Sequence, residues 1–77
     1  MSILGVIVRT RAADREPVAA RLRDLPGADL AIDAGDGRMV VVLEDSATRS
    51  AAETLAEIAL WPGVLNTSLV YEHSEIA

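Results

Sequence analysis

Hydrophobic positions along this 77-residue chain alternate between two periods, and the changes of period mark its elements. Ile3 to Val8 is a short, β-branched apolar run, which predicts a strand buried on at least one face. From about Asp14 to Leu25 the apolar positions Val18, Leu22 and Leu25, with Ala19 beside them, make one helix stripe. Asp14 is its expected N-cap. Pro17 is tolerated in the first turn, where backbone N–H groups lack intrahelical partners. Pro26-Gly27 ends this helix, and Ala28 to Asp33 returns to period two, with Leu30 and Ile32 alternating against Asp29, Ala31 and Asp33. Ala34-Gly35-Asp36-Gly37 reads as a turn, and Met39 to Glu44 as the second arm of a hairpin. A second helix starts after Ser46. Ser50 and Glu53 have capping-box spacing, with Ser46 or Thr48 as alternative caps. Its buried stripe is Leu55, Ile58 and Ala59 with Ala51 or Ala52; Trp61-Pro62-Gly63 stops it, and Val64 to Glu72 makes the last strand.

The order is therefore β-α-β-β-α-β over one domain, residues 1–77. Both helices end in an apolar residue followed by Pro-Gly, and a shift of 36 residues superposes Leu25-Pro26-Gly27 on Trp61-Pro62-Gly63. Two such βαβ halves are the split arrangement of a ferredoxin-like α+β fold. Each helix has one apolar stripe to bury, so both are expected on one face of a four-stranded antiparallel sheet.

The other face then meets solvent or a partner, and period-two alternation sorts its residues. Leu4, Val6 and Val8, Met39, Val41 and Leu43, and Leu65, Thr67, Leu69 and Tyr71 are assigned to the helix side. Gly5, Ile7 and Arg9, Val40, Val42 and Glu44, Asn66, Ser68, Val70 and Glu72, and Asp29, Ala31 and Asp33 are assigned to the open side. Exposed aliphatics (Ile7, Val40, Val42, Val70) around small Gly5 and Ser68 form a shallow apolar groove with Glu44, Glu72 and Asp33 at its rim. A contiguous apolar patch on a soluble protein marks an interaction site. From pattern alone, a homodimer interface ranks at least level with a groove for a helix or peptide.

Charge narrows the partners. Twelve acidic residues against seven basic ones, all Arg, give a net charge of −5. That balance disfavours phosphate backbones and anionic lipid surfaces, which are bound by displacing counterions with Lys and Arg. No nucleic-acid partner is expected, and a cationic one is the natural complement. The start lacks a basic region ahead of its apolar run, so it does not read as a secretory signal, and the run is too short to span a membrane. A cytoplasmic protein without membrane insertion is the expectation.

Catalytic chemistry finds little support. With no Cys there is neither a disulfide framework nor a thiolate site. His73 is the sole histidine and lies near the C-terminus, better read as a solvated residue at a strand end than as a catalytic base. One His and scattered carboxylates make no metal cluster. Asp33-Ala34-Gly35-Asp36-Gly37 lacks the ligand series of a calcium loop, and it links strands rather than opening a helix as a phosphate loop does. Arg9 and Arg11 are a split pair at a strand end. Trp61 reads as a lid over the edge of the core. No enzyme activity and no cofactor are expected.

The closing stretch Pro62-Gly63-Val64-Leu65-Asn66-Thr67-Ser68-Leu69-Val70-Tyr71-Glu72-His73 resembles the end of the NapD family, with Ser68-Leu69-Val70-Tyr71 its most specific block. The apolar first strand, Leu25-Pro26-Gly27 and Asp36-Gly37-Arg38-Met39-Val40-Val41-Val42-Leu43-Glu44 extend the resemblance over essentially the whole chain. It implies a ferredoxin-like fold and the role of a cytoplasmic assembly chaperone of the periplasmic nitrate reductase. Such a chaperone binds the twin-arginine signal peptide of the catalytic subunit and holds back export until molybdenum cofactor insertion and folding are complete. The peptide-binding residues expected are Gly5, Ile7, Val40, Val42, Ser68 and Val70 as floor, with Glu44 and Glu72 attracting the arginines. The alternative is a small ligand-sensing or dimerisation module of the same fold.

Overall fold

The computed structural model describes residues 2–74. Its elements are β1 (Ser2–Thr10), a 3-10 turn (Ala12–Asp14), α1 (Arg15–Arg23), β2 (Ala28–Asp33), β3 (Arg38–Glu44), α2 (Ala51–Ala59) and β4 (Val64–Ser74). The strands form an antiparallel sheet in the order β2-β3-β1-β4. This is the expected ferredoxin-like α+β arrangement, with β1 and β3 central and β2 and β4 at the edges.

The core lies between the sheet and the helices. Leu4, Val6 and Val8 of β1 and Met39, Val41 and Leu43 of β3 pack against Val18, Ala19 and Leu22 of α1 and Ala51 and Ile58 of α2. All six strand residues are on the side that period two assigns to them. Trp61 closes the edge of this core at 5% exposure, with the Arg21 guanidinium 4.4 Å from the ring centroid. It acts as the lid expected of it, and the cation–π contact holds Arg21 against its ring.

The two halves repeat in detail. Leu25 donates its N–H to the Leu22 carbonyl and Ala28 to Leu25; 36 residues on, Trp61 donates to Ile58 and Val64 to Trp61. Gly27 and Gly63 sit at φ +84° and +90°, a region where L side chains are strained, and there each helix reverses into its following strand.

Two local expectations change. Asp14 does not cap α1: its own backbone is helical, it makes no capping side-chain bond, and the 3-10 turn leads directly into the helix. The stripe of α2 is Ala51, Thr54 and Ile58, with Leu55 half-buried, while Ala52 and Ala59 face solvent. Thr54 is tolerated inside because its hydroxyl donates to the Ser50 carbonyl at 3.2 Å. The capping box is formed: Glu53 N–H donates to Ser50 Oγ at 3.1 Å and Ser50 N–H to Glu53 Oε1 at 3.3 Å.

Candidate functional site

Residues directly opposite one another in an antiparallel pair share a face, so the registers map the open side of the sheet row by row. β1 and β3 pair without interruption, placing Arg9 opposite Arg38, Ile7 opposite Val40, Gly5 opposite Val42 and Ile3 opposite Glu44. β4 adds Asn66 beside Arg9, Ser68 beside Ile7, Tyr71 beside Gly5 and His73 beside Ile3. β2 adds Ile32 beside Val40 and Asp29 beside Val42. The middle of the face is thus a band of aliphatic groups, Ile32, Val40, Val42 and Ile7, uncovered by any described element. Ile32 is 57% exposed, and Ile7, Val40 and Val42 are half-buried by their neighbours.

The edge strands depart from strict alternation because each carries extra residues. Ala31 is inserted in β2 between Leu30 and Ile32, and Val70 and Leu65 are inserted in β4. Beyond such a bulge every side chain changes face relative to a period-two count. Four assignments are corrected by this. Glu72 lies opposite Leu4, on the helix side of the sheet, and so leaves the open face. Tyr71 lies opposite Gly5, on the open face instead of the helix side. Asp33 lies opposite Met39 and turns to the helix side, while Ile32 takes a place on the open face.

The Asp33 carboxylate shows what the β2 bulge achieves. It accepts from the Gly35 N–H at 3.0 Å and from Arg15 Nη1 at 2.8 Å, tying β2 to the start of α1. These bonds, the Gly35 amide foremost, hold its pKa below the ordinary carboxylate range. Asp36 is likewise lowered, chiefly by the Arg38 side chain, whose Nη2 lies at 2.9 Å. Asp45 is lowered by the amides of Ala51 and Ser2, at 2.7 and 3.0 Å. These three carboxylates are occupied structurally.

Gly5 is buried, and the reason is Tyr71: a Cβ at this position would run into the ring. The ring therefore roofs Gly5, the cross-strand cover that aromatic residues give to sheet glycines. Of the expected site residues, Ile7, Val40, Val42 and Ser68 share the open face with Glu44 at one end. Val70 is the unpaired bulge residue, 57% exposed. Gly5 is covered and Glu72 is on the other side. Ile32 and Tyr71 were missed as members of this face. The sequence carries no hint of this, since Ala31 continues the alternation of Leu30 and Ile32 and a sequence does not say which residue a ladder skips.

Two notches of about 120 and 210 Å3 lie away from this face, one lined by Leu25, Pro26, Arg49 and Glu57 and the other by Pro17, Val18, Arg21 and Trp61. Both are below the ~300–1,000 Å3 of ordinary small-molecule sites. Among the described residues no group of three or more His, Cys, Asp or Glu is placed to hold a metal ion, and no helix is long and apolar enough to cross a membrane. The flat apolar face suits a macromolecular partner.

Comparison with known proteins agrees with the fold. The family model described as NapD protein matches residues 1–76. Chaperone NapD of Escherichia coli K12 is 27% identical over 74 residues, spanning 95% of this chain and 85% of the relative. The Shigella flexneri chaperone NapD matches to the same extent. The solution structure of the E. coli Tat proofreading chaperone protein NapD superposes with a TM-score of 0.80 at 24% identity, covering 95% of this chain and 78% of that one.

Proposed function

This chain belongs to the NapD family, and from that premise we propose that it binds the twin-arginine signal peptide of the catalytic subunit of a periplasmic nitrate reductase. It does so in the cytoplasm and holds back export until cofactor loading and folding are complete. It is a chaperone rather than an enzyme, as its relatives are named.

The observation that carries this reading is the uncovered aliphatic band of Ile32, Val40, Val42 and Ile7 on an acidic protein. A twin-arginine peptide has adjacent guanidinium groups followed by an apolar segment. Burial of that segment on the band supplies non-directional affinity, about 25 cal/mol per Å2 of apolar surface before the costs of association are subtracted. The net charge of −5 speeds encounter with a cationic peptide.

Calorimetric titration with the signal peptide of its own nitrate reductase tests the reading, with a Lys-Lys variant and an unrelated twin-arginine peptide as controls. Binding to the cognate peptide is expected, and Val42→Arg is expected to abolish it while the circular-dichroism spectrum and melting stay those of a folded protein. Val42 faces outward, so the long Arg side chain is solvated in the free state and obstructs the band. A cognate peptide that gives no heat and no thermal shift discards the role; one that binds Val42→Arg undiminished moves the site off this face.

A further inference from the structure

The open face is polarised along its strands. At one end Arg9 and Arg38 lie opposite each other, with Asn66 beside them. At the other end Glu44 lies opposite Ile3, and Asp29 lies one row inward beside Val42. Arg38 and Glu44 are six residue steps apart on β3, a distance of roughly 20 Å at a strand rise of ~3.3 Å per residue. About 13 residues of an α-helix cover the same length.

The two carboxylates at the acidic end are available in a way that others are not. Asp33, Asp36 and Asp45 are bound to Arg15, Arg38 and backbone amides, and Glu57 pairs with Arg49. Asp29 and Glu44 are both exposed, and neither pairs with another described residue. Because Asp29 faces Val42 and Glu44 stands two residues further along the same strand, they are diagonal cross-strand neighbours, about 7–8 Å apart at the backbone. That separation suits the fanned-out stems of two consecutive arginines, whose Cα atoms are about 3.8 Å apart. At the far end Arg38 is held by Asp36, whereas Arg9 is exposed with no described acidic partner.

We propose that this gradient fixes the direction in which the peptide binds: its arginine pair sits at Asp29 and Glu44, its apolar segment crosses Val42, Val40 and Ile7, and its C-terminal end points toward Arg9. Asp29 and Glu44 are then the residues that read the arginines. The inference rests on the signal-peptide reading above and adds an orientation to it. Two independent effects favour the same direction. The guanidinium groups meet carboxylates instead of Arg9. If the apolar segment is helical, its positive N-terminal pole lies at the acidic end and its negative C-terminal pole at the basic end. The reverse orientation sets both against like charge.

Titration of unlabelled peptide into the unmodified protein comes first, so that loss of the signal-peptide role, which would take the orientation with it, is read separately. A nitroxide is then attached beside the arginine pair, and amide broadening is mapped on the 15N-labelled protein. The expected result is broadening around Asp29, Val42 and Glu44 that spares Arg9, Arg38 and Asn66. A label at the far end of the apolar segment should invert the pattern. Broadening at Arg9 and Asn66 from the first label, or an even spread from both, overturns the orientation. Asp29→Asn with Glu44→Gln should weaken binding about 10–100-fold, flatten its salt dependence and bring the Arg-Arg and Lys-Lys peptides to similar affinities. Unchanged affinity and discrimination in that folded variant overturn the role of the two carboxylates.

Discussion

β1 and β3 run opposite one another without a break from Ile3 and Glu44 to Arg9 and Arg38, whereas both edge strands carry inserted residues. A central strand is bonded on both sides, so an extra residue would break two ladders. An edge strand has a single ladder to disturb, and bulging also bends its free edge. The consequence bears on the proposed binding face. The central strands supply a fixed floor, and the bulges decide which edge side chains join it, bringing in Ile32 and Tyr71 and turning away Asp33 and Glu72.

The largest effect that separates the two regions is on stability. Leu43 is fully buried on β3, so Leu43→Ala should cost about 2–5 kcal/mol. At roughly 4–8 °C per kcal/mol for a small domain, the melting temperature falls by at least about 8 °C. Leu69 on β4 also faces the helix side, opposite Val6, yet it is 52% exposed. Leu69→Ala should therefore cost less than about 1 kcal/mol. Equal losses in thermal melts of the two variants would break the distinction between core and edge.

A smaller effect tests how the edge reaches over the floor. Gly5→Ala puts a methyl into the Tyr71 ring, which must swing away and uncover the sheet. Replacing a strand glycine by alanine otherwise gains about 0.5–1 kcal/mol of backbone entropy. The two changes should thus couple: Gly5→Ala destabilises the wild-type protein but stabilises one already carrying Tyr71→Ala. Denaturant melts of the four proteins check the change of sign, and additive effects would mean that the ring does not rest on Gly5 in solution.

These contrasts show what a sequence makes legible. Apolar period and Pro-Gly punctuation locate every strand and both helices, because burial and chain reversal leave marks in residue type. The floor residues Ile7, Val40 and Val42 are equally readable, since they alternate with Val6, Val8, Val41 and Leu43 in unbulged strands. Glu72, Tyr71, Ile32 and Asp33 were misplaced because a bulge is settled by pairing across strands, here Val70 against β1 and Ala31 against β3, and leaves no periodic trace. The Asp14 cap failed for a similar reason: the residue type was right, but the preceding 3-10 turn already gives that position helical geometry.

The bulge in β2 has its own test through pH. The Asp33 pKa is lowered in the folded protein by the Gly35 amide and Arg15. A depressed carboxylate stabilises the fold above its unfolded pKa of about 3.9, and that stabilisation is lost as pH falls through the lower, folded value. Asp33→Asn removes one such group while Asp36 and Asp45 continue to act in the same sense. The variant should lose less stability than wild type between pH 5 and about pH 2. Identical slopes in melting temperature against pH would place Asp33 away from its partners, as an unbulged β2 would.

The smallest expected effect is the most direct on the role of the edge. Glu44 and Glu72 are both exposed carboxylates near the same end of the sheet, and a count by twos puts both on the open face. Register puts Glu44 there, opposite Ile3, and Glu72 on the reverse side, opposite Leu4. Long-range attraction treats them almost alike, so removing either charge slightly slows association at low salt. Contact treats them differently, because the body of the sheet lies between Glu72 and a peptide on the open face. Glu72→Gln should therefore leave the equilibrium affinity at physiological salt within about twofold of wild type, where screening over ~8 Å removes most of the distant contribution. A loss comparable to that of Glu44→Gln would mean that β4 passes Val70 in strict alternation when the peptide is bound, and that the edge strand, like the centre, reads the arginines.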